Sequence, residues 1–288
     1  MRVRNVFEKR VKNRSEKERG EDQREDRVNQ EAREKGEEKA EAASGVMAPA
    51  IAGARQRRER SDKGKVTITP RDAVVLTWLG AQYAVRLDQL QVLLGRRAQA
   101  PTQADGLVSA DTARRVVTRW AKAGWVEHRR VFHRQPEWVW LTRAGMQLAG
   151  LEYFAGQPSP VMLNHYRQVN RVRLSVEERH PAAGWTCERA LKPQRQRQRD
   201  RDTHYADAEI RIGEATVGLE VELSVKKAAQ LTAIVAGLAR EYRTVWYFVE
   251  PVKPNVLPGV RQAIGYLPPA EQRRFKLYSI ETLTEIAT

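Results

Sequence analysis

Three acidic residues in the second half of this sequence have the types and spacing to do chemistry. Asp207 stands thirteen residues before Glu220, Glu222 follows two later, and Lys226 four after that. Side chains alternate along a strand, so Glu220 and Glu222 share one face while Leu219, Val221 and Leu223 fill the other. Lys226 keeps the parity of the two glutamates at the strand end. Carboxylates on adjacent strands can share a hard cation such as Mg²⁺, which prefers oxygen ligands. Such an ion activates water and offsets phosphate charge. Asp207, Glu220, Glu222 and Lys226 are therefore the candidate catalytic set, expected to meet at one point at the sheet edge. Asp207 and Glu220 are the candidate metal ligands. Glu188 in the preceding strand, or Glu177 or Glu178 near the end of a long helix, would add a further carboxylate. Like charges this close are expected to raise at least one carboxylate pKa.

The elements that must position this set follow a Gly/Pro-containing joint at 154–160. A long helix is predicted from Val161 to Glu178, with His165, Val169, Val172 and Val176 as one stripe. In that stripe His165 reads as a packed core histidine. A strand from Trp185 to Leu191 comes next, carrying Cys187, which reads as buried and inert. A basic loop (KPQRQRQRDRDTH) leads to strands Tyr205 to Ile212 and Thr216 to Val225, joined by a Gly213-Glu214 turn. A helix from Lys226 to Tyr242, a strand from Thr244 to Val249, a helix near Val256 to Tyr266 and a strand from Phe275 to Ile280 leading into a terminal helix complete the order. The pattern is α/β, a mixed sheet covered by helices, over residues 161–288.

The preceding region, 66–153, has a different rhythm. Thr69 and Pro70 form a helix start, with Thr69 as cap and Pro70 at the first turn, and that helix should reach about Tyr83. A short helix carries Leu87, Leu90, Leu93 and Leu94 and ends at Gly95. After a polar loop, Ser109 caps a third helix. There Ala113, Val116, Val117, Trp120 and Ala121 form the apolar face, and Thr112, Arg115, Arg119 and Lys122 the opposite one. Gly124 stops this helix. Two strand-like runs follow, Trp125 to Phe132 and Trp138 to Leu141, and then a short helix from Thr142. Trp120, Trp125, Trp138 and Trp140 suit core packing better than base stacking. His128 and His133 read as surface residues of the hairpin.

Three helices followed by a hairpin is the winged helix-turn-helix order, and AGWVEHRR…WVWLTRAG resembles the third-helix-to-wing segment of that superfamily. A helix fits a major groove about 12 Å wide and brings its exposed side chains to base edges. Arg114, Arg115, Thr118, Arg119 and Lys122 on the helix, with Arg129, Arg130 and Arg134 on the wing, are the candidate DNA-binding residues. The helix, hairpin and carboxylate order further on is similar to the PD-(D/E)XK nuclease core. Its motif would be Ala206-Asp207 and Glu220-Val221-Glu222, with Ala206 in the place of the proline and Glu222 in that of the lysine. Lys226 or Lys227 would then have to supply the missing positive charge. Over about 68–285 the chain resembles the replication-relaxation family of plasmid and other mobile-element proteins, on LTRAG, HYRQVNRVRL, WTCERAL, YADAEI and VGLEVELSVKK. That resemblance implies a winged helix fused to a nuclease-like domain, acting in plasmid replication, DNA relaxation or mobilisation, with replication or mobilisation proteins as partners.

Composition agrees with a nucleic-acid partner. The chain has 288 residues, 51 Lys+Arg against 36 Asp+Glu, and a formal charge of +15. Residues 1–50 hold 13 basic and 12 acidic residues, so nearly all the excess lies beyond them. That stretch is too poor in apolar residues to offset its ordering entropy and reads as a disordered tail; Arg55 to Lys65 reads as a linker or a phosphate-contacting arm. Met47 offers an alternative start. One cysteine excludes an internal disulfide and a cysteine-based zinc site. The longest apolar run, Leu231 to Ala239, falls short of the roughly 20 residues that span a bilayer, so a cytoplasmic protein with no membrane partner is expected. No phosphate-binding loop, H-E-x-x-H, G-x-S-x-G or His-x-His occurs. The leading expectation is a protein that docks on double-stranded DNA. An active Mg²⁺-dependent endonuclease or nickase, and a repressor whose second domain forms a homodimer, are the alternatives.

Overall fold

The computed structural model describes residues 66–96, 102–103, 106–196, 204–250 and 253–283. The expected tail and basic arm (1–65), part of the basic loop (197–203) and the terminal helix beyond 283 lie outside these residues. The described residues belong to one compact unit, Asp62–Thr288. It is mixed α and β, α+β overall, with a three-stranded and a five-stranded sheet. Among the described residues no helix is long and apolar enough to cross a membrane.

The first half runs α1 (Pro70–Ala81), β1 (Val85–Arg86), α2 (Leu87–Arg96), α3 (Ala110–Lys122), β2 (Val126–Arg129), β3 (Trp138–Leu141) and α4 (Arg143–Leu148). Local chemistry accounts for the helix starts. Thr69 Oγ1 accepts from the Asp72 amide and the Asp72 carboxylate accepts from the Thr69 amide, a reciprocal cap ahead of Pro70. Ser109 and Thr142 cap α3 and α4 in the same way, each accepting from the amide three residues on. Gly124, at φ 75°, lets the chain leave α3 and turn directly into β2. Leu76, Leu79, Leu90, Leu94, Ala113, Val117 and Trp120 build the core, and Val139 and Leu141 join it from the sheet. Trp138 and Trp140 are also buried, and Trp125 packs partly buried against the core, so the tryptophans serve packing.

Two details depart from expectation. The first hairpin strand is shorter, β2 covering four residues, while β3 has the expected bounds and residues 130–137 form the connection. The two-residue strand β1 pairs antiparallel with β3, giving the order β1-β3-β2. Val85 and Arg86 are too short a run to show strand alternation.

The second half runs α5 (Leu163–Arg179), preceded by a single 3₁₀ turn, then β4 (Gly184–Cys187), α6 (Glu188–Gln196), β5 (Ala208–Ile212), β6 (Ala215–Glu222), α7 (Ala228–Glu241), β7 (Thr244–Val249), α8 (Val256–Gly265), α9 (Pro269–Gln272) and β8 (Phe275–Ser279). The sheet order is β4-β5-β6-β7-β8, antiparallel as far as β6 and parallel beyond it. Val169, Val172 and Val176 of α5 pack on one face against Leu219, Val221, Trp246 and Phe248. Leu231, Val235 and Leu238 of α7 and Val260 of α8 pack on the other against Val245, Tyr247 and Val249. Gly218 admits the Tyr242 ring at close range, since a Cβ there would lie 2.5 Å from it.

The stretch expected as a strand from Trp185 to Leu191 stops at Cys187. Glu188 is therefore a correction: it opens helix α6 and is not a strand residue. Helix α5 serves both halves. Its Leu174 lies in the first core, Asn170 Nδ2 donates to Ala84 O at 2.9 Å, and Gln89 Nε2 donates to Arg167 O at 2.8 Å. Trp78 Nε1 donates to Glu177 at 2.8 Å, and the Arg173 guanidinium lies 4.3 Å from the Trp78 ring centre. The segment 154–160 thus separates two cores that α5 joins again.

Candidate functional site

The acidic residues lie at the carboxyl end of β6, the middle strand, and not at the sheet edge. The β5–β6 ladder ends at Ala208 opposite Leu219. Just beyond it, Asp207 Oδ2 accepts from the Val221 amide at 2.8 Å, between the two glutamates. Glu220 and Glu222 share a face, and Glu220 is in register with Tyr247 of the parallel neighbour β7. Both glutamates are 2% exposed, so this is a buried charged row and not a solvated strand.

Each carboxylate has a basic partner. His165 Nε2 lies 2.8 Å from Asp207 Oδ1, and His204 Nε2 lies 2.9 Å from Glu220 Oε2. Lys226 Nζ bonds Glu222 Oε2, while the Ser224 amide and hydroxyl donate to Glu222 Oε1 at 3.2 and 3.3 Å. Lys226 is therefore the partner of Glu222. Lys227 is an exposed residue at the start of α7.

Environment sets the protonation states. Burial works to lower the His165 imidazole, but the charge and hydrogen bond of Asp207, helped by Glu220 and Glu188, push it up to about 9. Burial likewise opposes charge on Asp207, yet the His165 charge and bond and the Val221 amide hold its carboxyl below the usual range. Glu220 goes the other way. Burial and the adjacent Asp207 charge push it up to about 7 despite the bond from His204. His204 is raised, its bond and charge pairing with Glu220 outweighing burial. Tyr247 is fully buried, and its hydroxyl has no hydrogen-bond partner among the described residues. Burial, then the charges of Glu220, Glu222 and Asp207, hold that hydroxyl well above its ordinary pKa.

The sequence missed His165, His204 and Tyr247. The stripe of His165 with Val169, Val172 and Val176 carried the first, because it places His165 toward the sheet, where Asp207 is the polar partner. His204 belongs to no periodic pattern. Glu177 turns instead to Trp78 and Arg173, and Glu178 to Arg96. Glu188 stays near the row, its amide donating to Asp207 O at 3.1 Å, but its carboxylate takes the Tyr83 hydroxyl and Lys192.

The expected Mg²⁺ ligands do not form a suitable donor set. Among the described residues no three His, Cys, Asp or Glu side chains are placed to hold a metal ion. Asp207, Glu220 and Glu222 direct oxygens at the Val221 amide, imidazoles and an ammonium. The row is instead three acid–base pairs, Asp207 with His165, Glu220 with His204 and Glu222 with Lys226.

The basic residues of the first half occupy the opposite kind of environment. Arg114, Arg115, Thr118 and Lys122 are exposed on α3, and Arg129, Arg130 and Arg134 are exposed on and after β2. Arg114 pairs with Asp111 at 2.8 Å within the helix. Arg134 takes a left-handed φ of 57° in the hairpin connection. His128 Nδ1 meets Glu137 at 2.7 Å, and His128 and His133 are both exposed. Arg119 differs from its neighbours: it bonds the carboxylate of Asp72, whose side chain is 0% exposed. It ties α3 to the cap of α1 and is not held out with the others. Compared with known proteins, the chain matches no family model, no curated protein and no solved structure.

Proposed function

We propose that this chain binds double-stranded DNA, with α3 laid in the major groove and the β2–β3 hairpin against the backbone. One observation carries the reading. Arg115, Thr118 and Lys122 stand at i, i+3 and i+7 on the exposed face of α3, and Arg129, Arg130 and Arg134 continue the charge onto the hairpin. Side chains three and four apart on a helix are neighbours, so the strip is continuous. The order α1, α2, α3, hairpin, with β1 as a third strand, supports a winged helix. The order α5-β4-β5-β6-α7-β7, with α6 inserted, supports a nuclease-like second half. Action in replication, DNA relaxation or mobilisation of a plasmid or other mobile element, beside replication or mobilisation proteins, rests on the sequence resemblance over 68–285.

The test is fluorescence anisotropy with a labelled duplex across a range of salt concentrations, for the native chain and for Arg115→Ala/Lys122→Ala. A lost phosphate contact reduces the salt slope by about one, and a lost base-edge contact costs about 1–3 kcal/mol and relaxes specificity. Native affinity and an unchanged slope in the double variant defeat the assignment.

A second reading rests on the convergence of Asp207 with the buried Glu220 and Glu222 at the end of β6. In it the row is the centre of a DNA endonuclease or nickase. Supercoiled plasmid incubated with Mg²⁺ separates the two. Relaxed or linear product, lost in Asp207→Asn, supports the second reading, and intact plasmid supports binding alone.

A further inference from the structure

A cleft of about 490 Å³ opens beside the joint between the two cores. Tyr83, Tyr153, Phe154 and Tyr166 supply its rings, and Lys192 and Arg189 its positive charge. Tyr83, Tyr166 and Arg189 also line a separate narrow recess, together with His165 and Asp207. The cleft and the recess at the charged row thus share a wall.

Its wall is held in place. Arg189, itself buried, donates to Gly80 O at 2.8 Å and to Phe154 O, and its guanidinium lies 4.7 and 4.9 Å from the Tyr83 and Tyr153 ring centres. Tyr83 and Tyr166 stack on each other at 4.7 Å. Phe154 is the exception. Its backbone is tied by Arg189, yet its side chain is 88% exposed. A phenyl ring held in water from an anchored backbone is a surface ready for stacking. Lys192 lines the cleft with its side chain 43% exposed and its ammonium 2.7 Å from Glu188.

We propose that this cleft receives one unstacked nucleotide of a DNA strand, its base against the Phe154 ring and its phosphate toward Lys192. The volume lies within the range of small-ligand pockets, about 300–1,000 Å³. An aromatic face beside a cation is the pairing used for single-stranded nucleic acid, because every base offers a π-face whatever its sequence. Glu152, at the exposed lip, supplies an acceptor for an exocyclic amine. The proposal rests on the reading of the chain as DNA-binding, and adds to it a preference for duplexes with an extrahelical base.

The experiment uses the full chain and two duplexes of one sequence, fully paired or with a single 2-aminopurine bulge. Anisotropy of a terminal dye reports binding, and 2-aminopurine emission reports stacking. The bulged duplex should bind about five- to 150-fold more tightly than the paired one, the worth of one base–aromatic stack, with quenched emission. Phe154→Ala should abolish the preference and the quenching and leave paired-duplex affinity unchanged. An exposed side chain makes that variant safe for the fold. Equal affinity for the two duplexes with unchanged emission overturns the cleft proposal while duplex binding stands, as does a Phe154→Ala chain that keeps both preference and quenching. Failure to bind either duplex overturns the DNA-binding reading itself, and the cleft proposal with it.

Discussion

Arg115 and Arg119 lie one helical turn apart, and the structure gives them opposite duties. Replacing Arg119 with Ala strips a guanidinium from Asp72, a side chain with no exposure that also closes the cap of α1 through the Thr69 amide at 2.9 Å. Breaking a fully buried ion pair costs about 3–5 kcal/mol. The Arg119 side chain is 35% exposed, so water replaces part of what it gives. The loss of a charged partner by a buried acceptor, about 1–3 kcal/mol, is the better figure. At about 2–4 °C per kcal/mol for a chain of this size, Arg119→Ala should lower Tm by roughly 2–12 °C. Arg115→Ala should stay within about 0.5 kcal/mol of the native chain, as exposed substitutions do. The assay is urea denaturation followed by far-UV circular dichroism, as a double-mutant cycle with Asp72→Asn, which keeps an acceptor for Thr69. The Arg119→Ala penalty should shrink sharply in the Asp72→Asn background. DNA binding provides the crossed control: Arg115→Ala weakens it, and folded Arg119→Ala retains most of it. An unfolding midpoint for Arg119→Ala equal to that of the native chain, or a penalty unchanged by Asp72→Asn, would refute the reasoning.

Two further outcomes follow from the charged row. His165, faced by Asp207, Glu220 and Glu188, should titrate by NMR near 9, and Asp207→Asn should bring it down; its folded pKa is raised, so the pair's stabilisation is complete below about 6.5 and lost as pH rises through about 9. A His165 resonance titrating near 6.5 in the native chain would contradict the pairing. Added Mg²⁺ should leave Tm unchanged, because each carboxylate already has a basic partner, whereas a rise in the native chain that disappears in Asp207→Asn would show a metal site after all.

Much of this was legible in the sequence where local chemistry decides. Ser109, the apolar face through Trp120 and the Gly124 stop set α3 almost to the residue, since caps and periodicity act within a few positions. The alternation of Glu220 and Glu222 against Leu219, Val221 and Leu223 was likewise correct. Glu188 was misplaced for a physical reason. Cys187, Arg189 and Leu191 are all buried, which gives a strand-like alternation, but Arg189 is buried by bonds to Gly80 and Phe154 in distant segments. Arg119 was placed with the exposed arginines because helical periodicity cannot see Asp72, 47 residues away. Burial of the acidic face was hidden too. Alternation says which side chains share a face, and only the packing of α7 and α8 says that the face is covered.

The double service of α5 bears on how such a chain can be cut or shuffled. A fragment ending in the 154–160 joint, where sequence alone would place a recombination point, loses Leu174 from its core and leaves Ala84 O and Trp78 Nε1 without Asn170 and Glu177. A fragment that keeps the first core complete therefore runs through α5, ending near Arg179. A second half acquired without that helix would arrive with the sheet face of Leu219, Val221 and Phe248 uncovered. Because the helix completes both cores, a chimera that keeps both intact must exchange the whole of 66–283.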